Sequence, residues 1–291
     1  MAKVTSPGHK LGQLIGNFFE EFFSDRLVNL AEELGFYCDR KGLRAKVRGD
    51  KRKVTWTDSE GNVHELDYVF ERNGTKDEKG NPVAFIELAW RRYTKHSRNK
   101  AGEIEAALVP LGNSYHSTCN FLGAILGGEF TEGARKQLAS HNMNLLYIPY
   151  RKIVEAFLIK GIDLDYPEGA TNRQKYELIE AWENLQQPDI NDIEKAFAES
   201  IKSDYDRFVR RLKSALLRKI EEIRILPLFG NEKVFTSVTK AITAIEKYDA
   251  IPQKRAKFCK FEIYIRFTNE DKIEGSFHDR EEAIKFLRIC K

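Results

Sequence analysis

The sequence predicts a mixed α/β protein in which helices cover the faces of a mixed sheet, followed by a mainly helical region that ends in a small β-β-α unit. Three observations support this fold class. An amphipathic helix precedes three strand-like segments, strand-like and helix-like segments then alternate to about residue 161, and turn-forming residues at 163–172 interrupt the pattern. We therefore predict a core domain at residues 1–165 and a second region at residues 166–291.

The first element is a helix over residues 12–34, because apolar side chains recur along it at three- and four-residue steps. Gly35 ends this helix. The apolar stripe comprises Leu14, Ile15, Phe18, Phe19, Phe22, Phe23, Leu27, Leu30 and Leu34.

Three strands follow the first helix. Residues 53–71 alternate between polar and apolar on either side of the turn "SEGN", which predicts a β-hairpin. A third strand at residues 83–88 is almost entirely apolar, as is typical of a central strand that is buried on both faces. A basic helix at residues 91–108 comes next, and a strand, a helix, a strand and a helix then reach residue 161.

The C-terminal region is predicted to be helical from residue 173 to about residue 225. A further helix at residues 233–248, a hairpin around residues 269–271 and a closing helix at residues 280–290 complete the chain. The charged helix at residues 205–224 offers further cations for DNA or for solvent: Arg207, Arg210, Arg211, Lys213, Arg218 and Lys219.

Composition limits the classes of function. The chain has 291 residues, of which 42% are hydrophobic, but it lacks an apolar run of about 18 residues and the apolar core of a signal peptide, so we expect no membrane partner. Its four cysteines lie far apart, which predicts free thiols in a reducing cytoplasm. No phosphate-binding glycine loop, HExxH motif or zinc-ligand spacing occurs, which argues against ATP use and zinc chemistry.

Positive charge is concentrated in two runs. The formal net charge is +4, and residues 40–53 and 91–100 hold most of the early surplus of Lys and Arg. Such runs suit a polyanion, because each cation that neutralises a phosphate releases a counterion. A solvated charged face is the alternative interpretation of either run.

Two carboxylates occur inside strand-like segments, Asp67 in "ELDYVF" and Glu87 in "AFIELAW". A carboxylate in an apolar strand is costly unless a partner or a metal ion compensates its charge. Carboxylates on adjacent strands can share one divalent cation, and Mg²⁺ prefers oxygen ligands and acidifies bound water. The alternatives are that Asp67 bonds to the backbone and that Glu87 forms a buried ion pair with an arginine.

An Asp near the end of one strand, a Glu on the next strand and the order αβββαβ resemble the PD-(D/E)xK nuclease superfamily, which has the restriction-endonuclease-like fold. The resemblance covers about residues 12–160. It implies that Asp67 and Glu87 hold Mg²⁺ and that a Lys two positions after the Glu orients or activates the attacking water. Some members take a further acidic ligand from the first helix, where Glu20 and Glu21 lie. Both fall off the apolar stripe, so the alternative is that they are solvated.

The sequence departs from the family motif at two positions. Leu66 stands where the motif has Pro, a position that varies in the family. Ala89 stands where the motif has Lys, so either the chain is catalytically inactive, or residue 89 is a substituted position, or another side chain supplies the cation. Lys100 is a candidate, because it shares a helical stripe with Ile104 and Leu108 and should point toward the sheet. The alternative is a lysine whose stem covers apolar surface while its amine reaches water.

The other candidate residues are contacts to DNA phosphates, which position a protein on the duplex without reading its sequence. Glu103 and Glu105, on the helix after the third strand, either complete a metal shell or pair with Lys and Arg. The predicted DNA contacts are Arg44, Lys46, Lys51, Arg91, Arg92 and Lys95.

Together these features predict a Mg²⁺-dependent endonuclease of restriction type that hydrolyses double-stranded DNA at a specific sequence, with Asp67, Glu87 and Lys100 in its catalytic site. Cutting both strands requires two sites, so we expect a homodimer whose interface involves the first helix or the C-terminal region. One alternative is a non-catalytic DNA-binding protein that retains the nuclease fold, and another is a structural subunit whose charges only solubilise it.

Overall fold

The computed structural model describes residues 6–167, 169–228, 230–248 and 259–290. It is a mixed α/β structure that divides into two compact units, Met1–Leu212 and Lys213–Lys291. The domain boundary predicted after residue 165 lies inside the first of these units.

The first unit is built on a five-stranded mixed sheet with the order β1-β4-β5-β6-β7. Strands β1, β4 and β5 are antiparallel neighbours, whereas β5, β6 and β7 run parallel. A separate two-stranded sheet is formed by β2 and β3. The strands are β1 (Tyr37–Arg40), β2 (Val54–Thr57), β3 (Val63–Leu66), β4 (Tyr68–Arg72), β5 (Asn81–Arg91), β6 (Phe121–Gly128) and β7 (Asn144–Pro149).

Helices cover both faces of the five-stranded sheet. On one face, α3 and α4 pack against Val69 of β4, Phe85 and Ala89 of β5, and Leu126 of β6, in a core of fully buried side chains. The helices of this unit are α1 (Pro7–Glu33), α2 (Ala45–Arg48), α3 (Ser97–Ser114), α4 (Glu132–Ser140), α5 (Tyr150–Leu158), α6 (Asn172–Glu183) and α7 (Gln187–Leu216).

The first helix begins earlier than the sequence predicted. Ser6 caps its N-terminus by accepting a hydrogen bond from the backbone N–H of His9, and Pro7 opens the first turn. Gly35 follows the helix with a φ of 78°. Residues that have a Cβ adopt this left-handed backbone conformation only at a cost in free energy. The aromatic stripe of α1 is buried within its own unit, where Phe18 contacts the rings of Phe157 and Phe197, so this stripe is not free to form the predicted dimer interface.

The predicted strands need three corrections. Strand β1 was not predicted, because its four residues mix polar and apolar side chains without alternation. The predicted hairpin exists as β2 and β3, but its second strand is interrupted at Asp67, after which β4 joins the main sheet. The strand predicted at residues 83–88 extends over Asn81–Arg91, so Arg91 and Arg92 do not lie on the following helix, which begins at Ser97.

The second unit contains a four-stranded sheet with the order β11-β10-β8-β9, and the helices α8 and α9 share its apolar core. The helix predicted through residue 224 is wrong beyond Leu216, because alternating Ile223 and Ile225 place β8 in the sheet. The elements are β8 (Ile220–Pro227), β9 (Lys233–Phe235), α8 (Val238–Glu246), β10 (Phe261–Phe267), β11 (Lys272–Phe277) and α9 (Arg280–Ile289). The hairpin around residues 269–271 and the closing helix are confirmed.

Within the described ranges, no helix combines the length and the apolar character that crossing a membrane requires. The four cysteines are free thiols, as the sequence predicted.

Candidate functional site

Asp67, which directly precedes β4, lies beside Glu87 of the neighbouring strand β5. Tyr68 of β4 pairs with Ile86 of β5 in antiparallel register, which places the preceding Asp67 beside Glu87. Because side chains alternate along a strand, both carboxylates share the face that carries Val69 and Phe85, under α3. The sheet therefore brings the two predicted metal ligands together on one face.

Each carboxylate is held by the backbone of the other strand. The N–H of Asp67 donates a hydrogen bond of 3.2 Å to Oε1 of Glu87, and the N–H of Leu88 donates one of 2.8 Å to Oδ2 of Asp67. Backbone bonding of Asp67, which was one of the sequence alternatives, thus occurs. It fixes one oxygen of each carboxylate and leaves Oδ1 of Asp67 and Oε2 of Glu87 without a backbone donor among the described residues.

The pair resists ionisation of both members. Burial, followed by the charge of Asp67, raises the pKa of the Glu87 carboxyl to about 8. Burial likewise raises the pKa of Asp67, although the hydrogen bond from Leu88 opposes the shift. Glu87 is 7% exposed, and no ion pair to an arginine occurs for it among the described residues, contrary to the alternative interpretation of its role. Two clustered carboxyls without a dedicated cation are typical of functional sites rather than of structural ion pairs.

Lys100 is the cationic side chain that acts on both carboxyls, since its positive charge lowers the pKa of Asp67 and of Glu87. It lies on α3 beside the fully buried Ala101 and Ile104, and its own side chain is 20% exposed. Its Nζ atom also forms an ion pair of 3.1 Å with Glu103. The structure therefore places Lys100 within electrostatic reach of the pair, with its amine shared with a solvated carboxylate.

Glu20 and Lys41 complete the surroundings of Asp67. The charge of Glu20 raises the pKa of Asp67, the charge of Lys41 lowers it, and the two side chains pair at 3.5 Å. Glu20 is one of the two first-helix carboxylates considered as a further acidic ligand, and that role stays a prediction. Lys41 was not among the predicted site residues, because its place beside Asp67 depends on β1, which the sequence pattern did not reveal.

Ala89 lies on the same face as Glu87, two residues further along β5, and it is buried against the core below α3. The position where the motif has Lys is thus filled by a methyl group in a packed environment. Any cation that serves the pair must come from another element.

The donor set fits Mg²⁺, which commonly binds one or two protein carboxylates and retains several waters. Asp67 and Glu87 would hold it, in place of the side-chain hydrogen bond that joins them. In the described part of the chain, no group of three or more His, Cys, Asp or Glu side chains is arranged to hold a metal ion. A closed protein cage of the kind that zinc and calcium use is therefore absent from those residues.

Arg44 is a correction to the predicted DNA contacts. It is 3% exposed, and its guanidinium forms ion pairs with Glu71 at 2.8 Å and with Asp39 at 2.9 Å. It also donates to the carbonyl of Thr75. Arg48 binds Asp39 at 2.5 Å. We refer to Asp39, Arg44, Arg48 and Glu71 as the buried ion cluster, and its arginines are used inside the fold rather than on DNA.

Arg92 is also held inside the structure. Its guanidinium lies 3.9 Å from the ring centroid of Tyr150 and donates a 2.9 Å hydrogen bond to the carbonyl of Tyr166. Arg91 is partly buried and donates to the carbonyl of Trp90. The structure thus does not present these two arginines together as a phosphate-binding surface.

The remaining basic candidates are exposed. Lys46 pairs with Asp77 at 3.3 Å, Lys51 lines a small cavity with Arg48, and Lys95 lies on a 3₁₀ turn at Thr94–His96. Their role as DNA contacts stays a prediction.

The other acidic candidates lie apart from the pair or are used elsewhere. Glu105 accepts hydrogen bonds from Gln137 and pairs with His141. Glu103 pairs with Lys100, and Glu21 lines an apolar cavity between helices.

Comparison with known proteins identifies no family for this chain. No protein-family model and no curated protein matches the chain. A solved structure with some similarity is the crystal structure of a protein of unknown function, AF1548, with a TM-score of 0.30 and 14% sequence identity over 65% of this chain and 98% of that chain. A similarity of this size assigns neither a fold family nor a function.

Proposed function

We propose that the protein is a cytoplasmic, Mg²⁺-dependent DNA endonuclease of restriction type that acts as a homodimer on double-stranded DNA. The observation that carries the proposal is the Asp67–Glu87 pair, two carboxyls on adjacent strands that share one face and lack an arginine partner among the described residues. A buried pair of this kind destabilises the fold unless binding of a cation compensates its charge.

The roles follow from the contacts of each side chain. Asp67 and Glu87 hold the cation, and their backbone hydrogen bonds fix the carboxylate planes before DNA arrives. When bound, Mg²⁺ supplies Lewis-acid stabilisation of charge on the scissile phosphate and makes the attacking water more acidic. Lys100, whose charge acts on both carboxyls, would take the place of the motif Lys that orients or activates the attacking water in the family.

Cleavage of plasmid DNA with Mg²⁺, with and without a chelator, tests the proposal. Asp67→Asn and Glu87→Gln should each lower the cleavage rate by more than about a hundredfold, because metal ions contribute several kcal/mol to such reactions. Glu65→Gln is the matched control, since Glu65 is an exposed carboxylate of β3 that pairs with Lys53. Equal rates for Glu65→Gln and Glu87→Gln would contradict the proposed site.

Lys100→Met should lower the cleavage rate by about tenfold to a hundredfold and leave DNA binding unchanged, because it removes one charge beside the reacting phosphate. Lys136→Met is the control, since Lys136 is exposed and pairs with Glu132 on α4. Full activity of Lys100→Met would contradict the proposal that Lys100 replaces the motif lysine. Sequencing the ends cut from methylated and unmethylated genomic DNA would show whether a specific sequence is recognised.

Ala89 favours a second candidate, a DNA-binding protein that keeps the nuclease architecture without the chemistry. Salt-dependent DNA binding with no metal-dependent cleavage, across many DNA sequences, would select this candidate.

A further inference from the structure

A second concentration of positive charge lies at the β7 edge of the main sheet, two strands and about 10 Å away from β5. A cavity of about 320 Å³ opens there, with walls from α4, β7, the start of α5 and α7. Its lining residues include Arg135, Lys152, Arg207, Arg211, Tyr147 and Phe208.

The charges in this cavity are poorly balanced. Four cationic side chains face one carboxylate, Asp204, which pairs with Arg207 at 3.4 Å. The cations come from three different helices, so they do not form the solvated face of a single helix. Converging like charges repel one another, and an anion in the cavity would relieve that repulsion.

Part of the hydrogen-bonding capacity of the arginines in this cavity is unused among the described residues. The Nε atom of Arg135 is buried without a hydrogen-bond partner among the described residues. Its guanidinium is 4.3 Å from the ring centroid of Tyr147, which holds it at the cavity wall. Arg211 is exposed, and no ion-pair partner for it occurs in the described ranges. Guanidinium groups match phosphate oxygens in a planar, two-point geometry.

The walls also suit the rest of a nucleotide. Tyr147 supplies aromatic surface beside the cations, and the buried ring of Phe208 backs the wall through an edge contact with Phe121. A volume of about 320 Å³ is at the lower end of the range for small-molecule sites, roughly 300–1,000 Å³. The outer edge of β7 has no strand partner among the described residues, so its backbone N–H groups are further donors.

We propose that this cavity is a binding site for the phosphate group of a nucleotide unit, either free or within a nucleic-acid strand. The inference does not depend on the proposed nuclease activity, because none of the lining residues belongs to the Asp67–Glu87 pair.

Titration calorimetry in metal-free, phosphate-free buffer tests the proposal with four probes: inorganic phosphate, a nucleoside monophosphate, a short single-stranded oligonucleotide and the corresponding duplex. Arg211→Glu should weaken binding by at least about tenfold, since it replaces a phosphate-binding cation with a carboxylate. Arg210→Glu is the matched control, because Arg210 is exposed on the same helix, immediately before Arg211, and does not line the cavity.

The outcomes separate the sources of the ligand. Binding of the monophosphate without competition from DNA indicates a free nucleotide, whereas binding of an oligonucleotide alone indicates a strand phosphate, and either supports the site. No binding of any probe at millimolar concentration would overturn it. Equal losses in Arg210→Glu and Arg211→Glu would also overturn it, because general surface charge would then explain the binding. Asp67→Asn should bind the probes as the unaltered protein does, which keeps this test separate from that of the nuclease site.

Discussion

The main sheet carries two groups of buried or partly buried carboxylates, one on β1 and β4 and the other just before β4 and on β5, and they differ in what neutralises them. In the buried ion cluster, Asp39 of β1 and Glu71 of β4 are enclosed by the guanidinium groups of Arg44 and Arg48. In the Asp67–Glu87 pair, the partners are backbone N–H groups, a hydrogen bond between the two side chains and the nearby charge of Lys100, and the pKa values of both carboxyls rise. The first group is neutralised by arginines of the protein, whereas the second has no arginine partner among the described residues.

Burial of a carboxylate is therefore not by itself a sign of function. Glu71 is more deeply buried than Glu87, yet its charge is matched by a two-point hydrogen bond to Arg44. What distinguishes the candidate site is unmatched charge at a fixed position.

The largest expected effect is on the buried ion cluster. Arg44→Ala should lower the free energy of unfolding by about 3–5 kcal/mol, because it leaves Glu71 and Asp39 buried without their main cation. Urea denaturation followed by circular dichroism measures this change. Lys46→Ala, an exposed neighbour on α2, should change stability by less than about 0.5 kcal/mol. A loss below about 1 kcal/mol for Arg44→Ala would remove the distinction between the two groups.

The pH dependence of stability tests the Asp67–Glu87 pair. Glu87 has a raised pKa in the folded protein, so the folded state holds a proton that the unfolded state releases near pH 4.5. Stability from this group is therefore complete below about pH 4.5 and is lost as the pH rises toward about 8. Urea denaturation of the metal-free protein across this range should show a decline of a few kcal/mol that is smaller in Glu87→Gln, where Asp67 alone keeps a raised pKa. A decline of the same size in Glu87→Gln would assign it to other groups.

The smallest expected effect is stabilisation by Mg²⁺. At a concentration tenfold above its Kd, Mg²⁺ should raise the free energy of unfolding by about 1.4 kcal/mol, provided that only the folded state binds it. The effect should be greater at pH 8 than at pH 6, because Glu87 must release its proton to bind the ion. Glu87→Gln should show no stabilisation at either pH. Equal stabilisation of both proteins would place the Mg²⁺ elsewhere.

Sequence reasoning predicted the fold class because long periodic segments dominate it. The apolar stripe of α1 and the nearly continuous apolar strand β5 set the helix and the sheet centre, and Asp67 and Glu87 stood out as charges against that background. Short elements could not be read in the same way, and β1 was missed. The burial of Arg44 could not be predicted either. In the sequence it is one of many cations in a basic run, and the carboxylates that hold it, Glu71 and Asp39, come together only through the pairing of β1 with β4.

Asp67 is the single residue between two ladders whose registers are set independently. The small hairpin is aligned by Val54 opposite Leu66, and the main sheet by Tyr68 opposite Ile86. Residues gained or lost in the turn at 58–62 change the hairpin tip alone, whereas one extra residue next to Asp67 would turn its side chain to the opposite face. Insertions and deletions among related sequences should therefore occur in that turn and not next to Asp67.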